Sequence, residues 1–358
     1  MRIGHFETIK PICPVCRAER SRAIPLKLAH VEREQEGHVV EGFLNCSADG
    51  CLREYPIIDG IPIIVPDVRS YVAGSVLALY GRGDFSEAME SLIGDCCGPG
   101  SQFDVQRQHL SSYAWDHFGQ FDPAESDGDY QPGSVLRLLE SGLNLSERKP
   151  GGPAIDIGCS VGGATFSLAG HCDNLVLGVD FDFSMLQLAS AVLRTGRVCY
   201  PRRRVGLAYD RREFAVDLEH RERVDFWACD ATSLPFADKT FETAVALNVV
   251  DSVYSPVEVL TSVDRILAAG GNGLFACPYD WSAGATAVES WMGGHSQRGA
   301  ERGDSATILR KLLTAGAHPD SLQRLRILAE ADELDWHVRV HDRGVMHYKT
   351  HAVLVEAL

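Results

Sequence analysis

The sequence has no apolar run approaching the roughly 20 residues a membrane span requires, and its opening MRIGHFETIK is no signal peptide, so the expected place is the cytoplasm. Nor does it have a surplus of positive charge. The formal balance over 358 residues is −15, which would repel a polyanion and makes any nucleic-acid partner depend on a strong local basic patch. The cysteines do not form an even, spaced set. There are 11, with Cys96 and Cys97 adjacent, which argues against a disulfide framework and for reduced thiols or metal binding. Internal repeats and low-complexity segments are missing, and the apolar and charged fractions are those of an ordinary globular protein. A chain of this length can bury a sizeable core and hold one large domain plus a smaller one.

The one basic candidate is RTGRVCYPRRRVGLAYDRREF, which starts at Arg194. Acids interleave it further on, in AVDLEHRER, so the expectation is a solvated insertion face rather than a nucleic-acid groove.

Residues 1–68 are the first expected domain. CPVC (Cys13, Cys16) and NCSADGC (Cys46, Cys51) precede REYPIIDGIPIIVPD. Two close pairs on tight turns, a few tens of residues apart, are the pattern of a zinc ribbon, with four thiolates around a structural Zn2+. YPIIDGIPIIVP supplies strands to hold the turns, with Gly60 at a bend. The alternative is four unrelated buried cysteines. The segment resembles the small zinc-ribbon proteins that serve as activator subunits of some RNA and protein methyltransferases.

Residues 69–150 read mostly as helix, a linker or lid, with a loop at FDPAESDGDYQPG. In LSSYAWDHFGQF, Tyr113 and Trp115 are candidates to lid a pocket, with helical core packing as the other role. Residues 151–358 form the third expected unit. Strands at AIDIG, LVLGVD, VDFWACD, TAVALNVV and GLFACP alternate with helices, the last being PVEVLTSVDRILAAG, which argues for a parallel sheet flanked by helices. A Gly- and Ser-rich insertion, a helix SATILRKLLTAG and two strands, LDWHVRVHD and THAVLVEA, joined by RGVMHYK, complete the chain.

In PAIDIGCSVGGATFSLAG, Gly158, Gly162 and Gly163 permit a tight turn and close backbone approach to a ligand where a strand feeds a helix. Asp180 ends the next strand, placed for the two hydroxyls of a ribose. A dinucleotide site and an S-adenosylmethionine (SAM) site share these features. Three observations favour SAM. The spacing is Gly-x-x-x-Gly-Gly rather than Gly-x-Gly-x-x-Gly, which is less suited to a pyrophosphate. Asp156 would repel a phosphate and help hold an ammonium. CDATSLPF then offers Asp230 to an adenine amino group and the Ala231 backbone to a ring nitrogen.

AIDIGCSVGG, GVDFDFSML, DATSLPF and ALNVVDSV resemble, in order and spacing, the motifs of class I SAM-dependent methyltransferases. The terminal strand pair matches that fold too. The resemblance implies an α/β, seven-stranded, Rossmann-like methyltransferase sheet beside the zinc ribbon. It implies that Asp156, Gly158, Cys159 and Gly162 border the methionine part, Asp180 the ribose and Asp230 the adenine, with Asn248 near the methyl group. Tyr113, Ser160, Phe181, Ser184 and Ala231 complete the expected cofactor set. Cys159 reads as a small turn residue, not a nucleophile.

ALNVVDSVYSP, CPYDWSAGATAVESWMGG and the ending DWHVRVHDRGVMHYKTHAVLVE resemble the methyltransferase domain of ovothiol-forming enzymes, which methylates a ring nitrogen of a thiol-histidine. This chain lacks their sulfur-inserting iron domain, so the reaction class carries over more firmly than the compound. A neutral imidazole presents a lone pair near pH 7 without strong base help. Asp251, Tyr254, Tyr279 and His341 are the candidates to orient or deprotonate an acceptor. Arg339 or Arg343 would clamp a carboxylate, and Trp281 and Trp291 would wall the pocket. Each has a structural alternative: a cap for Asp251, an exposed strand position for His341, core packing for Trp291. His337, His341, His347 and His351 alternate on strands without a carboxylate cluster, a poor metal pattern.

The leading expectation is N-methylation of a small imidazole- or amino-acid-like metabolite or a peptide. The rivals are O-methylation, a protein or RNA target delivered by the ribbon, and a non-catalytic SAM-binding module. No membrane partner is implied, the acidic balance weighs against nucleic acid, and a homodimer is the candidate assembly.

Overall fold

The computed structural model describes residues 1–68, 71, 90, 97–125, 128–146 and 148–358. Much of the helical stretch expected from Ser70 onward lies outside the described residues. The elements, in chain order, are α1 (Ile3–Ile9), α2 (Pro14–Arg20), β1 (Leu26–Gln35), β2 (His38–Cys46), β3 (Glu54–Ile58), β4 (Ile61–Ile64), α3 (Gln102–Phe118) and α4 (Ser134–Leu143). There follow β5 (Ala154–Ile157), α5 (Gly163–His171), β6 (Val176–Asp180), α6 (Phe183–Thr195), β7 (Arg197–Val205), β8 (Ala208–Ala215), β9 (Val224–Cys229) and β10 (Phe241–Leu247). The last are α7 (Pro256–Ile266), β11 (Leu267–Cys277), α8 (Ser305–Leu312), β12 (Leu325–His341) and β13 (Gly344–Ala357).

Seven strands run in the order β9-β6-β5-β10-β11-β13-β12. The first five are parallel, and β13 enters antiparallel beside β11 with β12 outermost. This is the Rossmann-like methyltransferase sheet. Strands β5, β6 and β9 are buried almost throughout because helices cover both faces, which is why they read as continuous apolar runs. Ile155, Ile157, Leu177 and Val179 pack into the core on one face, and Ala154, Val176, Phe226 and Ala228 into the core on the other. The strand order reverses between β5 and β10, and the carboxyl ends of strands at such a point are where open α/β sheets bind ligands.

The sheet is wider than the seven expected strands. β4 pairs parallel with β9 through Ile63↔Ala228 and Ile64↔Cys229, and β3, β2 and β1 extend it antiparallel to 11 strands. The N-terminal segment therefore covers an edge that would otherwise present unpaired backbone groups.

Two boundaries differ from expectation. The helix PVEVLTSVDRILAAG ends at Ile266, because Leu267 already pairs with Phe241 as the first residue of β11. The register shift between Phe241 and Thr243 absorbs the Ala-Ala-Gly-Gly residues as an irregularity in the strand, with Gly270 at φ +74°. RGVMHYK is mostly strand rather than connection. Cross-strand pairs such as Trp336↔Tyr348 and Asp335↔Lys349 carry β12 and β13 to a tight turn at Asp342 and Arg343.

The arginine-rich stretch forms the separate ribbon β7–β8. Arg197 meets Glu213 at 2.9 Å, Arg202 and Arg204 share Asp210 at 3.0 Å each, Arg211 meets Glu90 and Arg212 meets Asp122. Its positive charge is answered locally, which leaves no basic groove there for a polyanion. Among the described residues no helix is long and apolar enough to cross a membrane.

Candidate cofactor and acceptor site

A cavity of about 400 Å³ opens at the carboxyl ends of β5, β6, β9 and β10, with α3 alongside. Its floor is the turn after β5. Gly158 sits at φ +72°, and a Cβ there would overlap the methyl groups of Val249, so only glycine brings the backbone to the opening. Ser160, also at positive φ, donates its N–H to Asp180 Oδ2 at 2.8 Å, while Asp182 N–H donates to Asp180 Oδ1 at 2.8 Å. A carboxylate has about four lone-pair directions, so two remain for a diol.

The electrostatics are one-sided. Five aspartates line the cavity (Asp116, Asp156, Asp180, Asp182 and Asp230), and the described lining residues include no Lys or Arg. Burial pushes the Asp156 carboxyl up to about 7, against the hydrogen bond from Thr165 Oγ1 at 2.7 Å and with the charge of Asp180 adding to the rise. Burial likewise takes Asp180 up to about 6, opposed by the Asp182 N–H and reinforced by the Asp182 charge. A cationic ligand would lower both, whereas a pyrophosphate would be repelled by the same carboxylates.

Ten of the twelve residues expected around the cofactor line this cavity: Tyr113, Asp156, Gly158, Cys159, Ser160, Asp180, Phe181, Asp230, Ala231 and Asn248. Asp230 Oδ1 caps the following turn by accepting from Thr232 N–H and Oγ1. Both amide atoms of Asn248 and the Ser160 hydroxyl are buried without a partner among the described residues. Burial raises the Cys159 thiol well above its ordinary value, which keeps it protonated and unreactive. Gly162 and Ser184 are not in the lining. Gly162 at φ +87° is the residue before α5, packed against the Phe226 ring, and Ser184 is in the first turn of α6, its N–H accepted by Asp182.

The four residues expected to act on the acceptor are elsewhere. Asp251 is 2 % exposed and its Oδ2 accepts the Asp280 N–H at 2.7 Å, which ties two loops together. Tyr279, at φ +58°, turns its hydroxyl to His351 Nδ1 at 2.7 Å, and His351 Nε2 meets Glu330 at 2.8 Å. Arg339 forks onto Glu125 at 2.7 and 3.0 Å and stacks over Trp115, so its charge is already spent. His341 accepts the Arg343 N–H at the β12–β13 turn, which keeps both at that turn. Trp281 and Trp291 stack on each other with centroids 6.1 Å apart, outside the cavity lining. Tyr254 does line the cavity, as do Asp116, His117 and Trp336, which sequence reasoning missed. Asp116 accepts the Trp336 indole N–H at 2.9 Å and the backbone N–H of Ser134, which fixes the wall and the start of α4 together. The available signal was slight, since Asp116 and His117 sit in a helix, QFDVQRQHLSSYAWDHF, that is polar at many other positions.

Away from the cavity, the Sγ atoms of Cys13, Cys16, Cys46 and Cys51 all lie within 4.8 Å of one another. Cys13–Cys51 is 3.9 Å and Cys16–Cys46 is 3.8 Å. Four thiolates at about 2.3 Å from a tetrahedral zinc have edges of about 3.8 Å, so the set fits that ion. Tyr55, fully buried, has its hydroxyl 3.1 Å from Cys13 Sγ and would stabilise a thiolate there.

Residues 155–275, which run from within β5 through α5, β6, β9 and β10 into β11, match the model of the Methyltransferase domain family. Over that third of the chain the sequence is similar to a methyltransferase domain. Two curated relatives, a phosphoethanolamine N-methyltransferase and a phosphoethanolamine N-methyltransferase 1 of Triticum aestivum, are 25% and 26% identical over 176 and 195 residues. Those stretches are 49% and 54% of this chain but only 30% and 32% of the relatives, so the chain spans about a third of their length. Among solved structures, the [4+2]-cyclase SpnF is 16% identical with a TM-score of 0.41, covering 70% of this chain and 96% of that one. Haemonchus contortus phosphoethanolamine N-methyltransferase 2, in complex with phosphomonomethylethanolamine and S-adenosylhomocysteine, is 20% identical with a TM-score of 0.31, covering 39% and 28%. Likeness at that level is too slight to carry substrates or site residues across.

Proposed function

We propose that the chain methylates a nitrogen of a small imidazole- or amino-acid-like acceptor, free or within a peptide, using SAM. The observation that carries this reading is the cavity's charge. Five aspartates and, among the described lining residues, no basic side chain suit a sulfonium nucleoside with an ammonium group and no phosphate. Asp180 would hold the ribose diol, Asp230 the adenine amino group and Asp156 the ammonium. The buried amide of Asn248, unpartnered among the described residues, would lie near the reacting end.

SAM supplies an activated methyl group, and the transfer asks the protein chiefly for in-line placement. Tyr113, Trp336 and Tyr254 border the space an acceptor would enter. Burial first, and then the charge of Asp180, push the Tyr113 phenol up to about 12, which keeps it a hydrogen-bond donor. The curated relatives favour nitrogen as the acceptor atom. Their phosphorylated substrate does not suit this lining, since a phosphate ordinarily calls for Arg or Lys. The four-cysteine cluster is proposed to hold a structural Zn2+ that braces the segment carrying β1–β4 onto the β9 edge. Calorimetric titration of the purified chain with SAM and with NADH tests the cofactor: SAM should bind and NADH should not. Mass spectrometry of imidazole, amino-acid and phosphorylated amine acceptors after incubation with SAM tests the class, and transfer only to the phosphorylated amines would overturn it.

A further inference from the structure

We propose that His117 is the neutral donor that holds the α-carboxylate of the cofactor's methionine moiety, through Nε2–H. The inference rests on the reading of the cavity as a SAM site. The amino-acid end of SAM brings a carboxylate into a cavity rich in aspartates, and the described lining residues include no Lys or Arg to meet it.

His117 lies near the end of α3, against the first residue of α5. Gly163 N–H donates to its Nδ1 at 2.9 Å. The contact is close enough that a Cβ at Gly163 would lie 2.6 Å from His117 Cβ, so only glycine admits the ring there. Because Nδ1 accepts, the proton of the neutral ring is on Nε2. Burial holds the ring in that neutral form, with its pKa down at about 3. Nε2 has no hydrogen-bond partner among the described residues, and His117 borders the cavity. Nε2–H is thus the donor this residue has left for a ligand.

The surroundings strengthen it. Gly163 N–H, at the start of a nine-residue helix, has no partner within the helix and spends its hydrogen bond on Nδ1, so the helix's positive end polarises the imidazole and makes Nε2–H a better donor. Thr165, two residues on, bonds Asp156 on the adjoining strand. The proposed ammonium partner and the proposed carboxylate partner thus both touch the first turn of α5. The two polar groups of one amino acid are therefore met side by side, the cation by an acid and the anion by a neutral donor.

Two ligands separate this role from a packing role. S-Adenosylhomocysteine carries the carboxylate, and 5′-methylthioadenosine shares the nucleoside but lacks it. Calorimetry on the full chain should show His117→Phe weakening S-adenosylhomocysteine by about tenfold to a hundredfold, the loss of a bond to a charged group, with 5′-methylthioadenosine changed less than about threefold. Equal losses on both ligands, or none on S-adenosylhomocysteine, would overturn the assignment. If the unmutated chain binds neither ligand, the cofactor reading itself fails. Should the variant not fold, nitrogen-15 spectra of the unmutated chain decide. The His117 Nε2 resonance should move with S-adenosylhomocysteine and stay with 5′-methylthioadenosine, and an unmoved resonance refutes the proposal.

Discussion

Raising the pH from about 6 to about 7.5 should tighten SAM binding, and Asp156 supplies the reason. Its carboxyl is 2 % exposed and burial lifts it to about 7, so in the free protein it is largely protonated at the lower pH. The sign follows from linkage. A carboxyl whose folded pKa lies above its unfolded value binds its proton more tightly in the folded state. Its contribution to stability therefore declines as pH rises from the unfolded value toward about 7. A bound ammonium reverses that preference, because it favours the ionised form. The ligand's own ammonium, with a reference pKa of about 7.7–8.0, stays mostly charged over this range. The ionised fraction of Asp156 climbs from about 9% to about 76% while the ammonium loses about a quarter to two-fifths of its charge, so the dissociation constant should fall about five- to sixfold. Calorimetry in buffers of different ionisation enthalpy would register the released proton directly. Asp156→Asn keeps an acceptor for the Thr165 hydroxyl and should remove the rise, binding more weakly than the parent already near pH 6 and falling about a further eightfold behind by pH 7.5. Affinity that declines with pH, or an unchanged slope in the variant, would refute the placement of the ammonium at Asp156.

Asp180→Ala removes the acceptor for two backbone N–H groups as well as the diol partner, and should weaken SAM and 5′-methylthioadenosine together by at least about tenfold in the same titration. Cys46→Ser, or treatment with a strong chelator, should remove bound zinc by elemental analysis and lower the melting temperature. Because β4 pairs with β9, SAM affinity should fall with it; a metal-free chain of unchanged melting temperature would contradict a structural zinc. Gly158→Ala places a Cβ at positive φ into Val249 and should cost about 1–3 kcal/mol in denaturant unfolding, with loss of SAM binding.

The ligand-facing ends of β5, β6, β9 and β10 were legible because each joins an apolar run to a short polar or glycine turn. Local chain chemistry alone puts Gly158, Asp180, Asp230 and Asn248 at those ends. The cysteine pairs were legible for a similar reason, since close spacing on turns brings thiols together before any long-range packing. The acceptor residues were not. Tyr279 leaves β11 at the expected point, but its positive φ and the His351 beside it on β13 turn the hydroxyl away, and no sequence spacing encodes that partnership. Arg339 looked free until a loop more than 200 residues earlier delivered Glu125 to it.

The sequence by itself therefore determined the parallel sheet, its ligand edge and the four-thiol cluster, because each rests on periodicity or on residues close along the chain. Only the tertiary structure decided that the N-terminal strands continue that sheet, that α3 brings His117 and Asp116 over the cavity, and that Arg339 and the arginines of the β7–β8 ribbon meet acids. Those facts depend on side chains from distant segments competing for the same charge and space, and such competition is resolved only when the whole chain has packed.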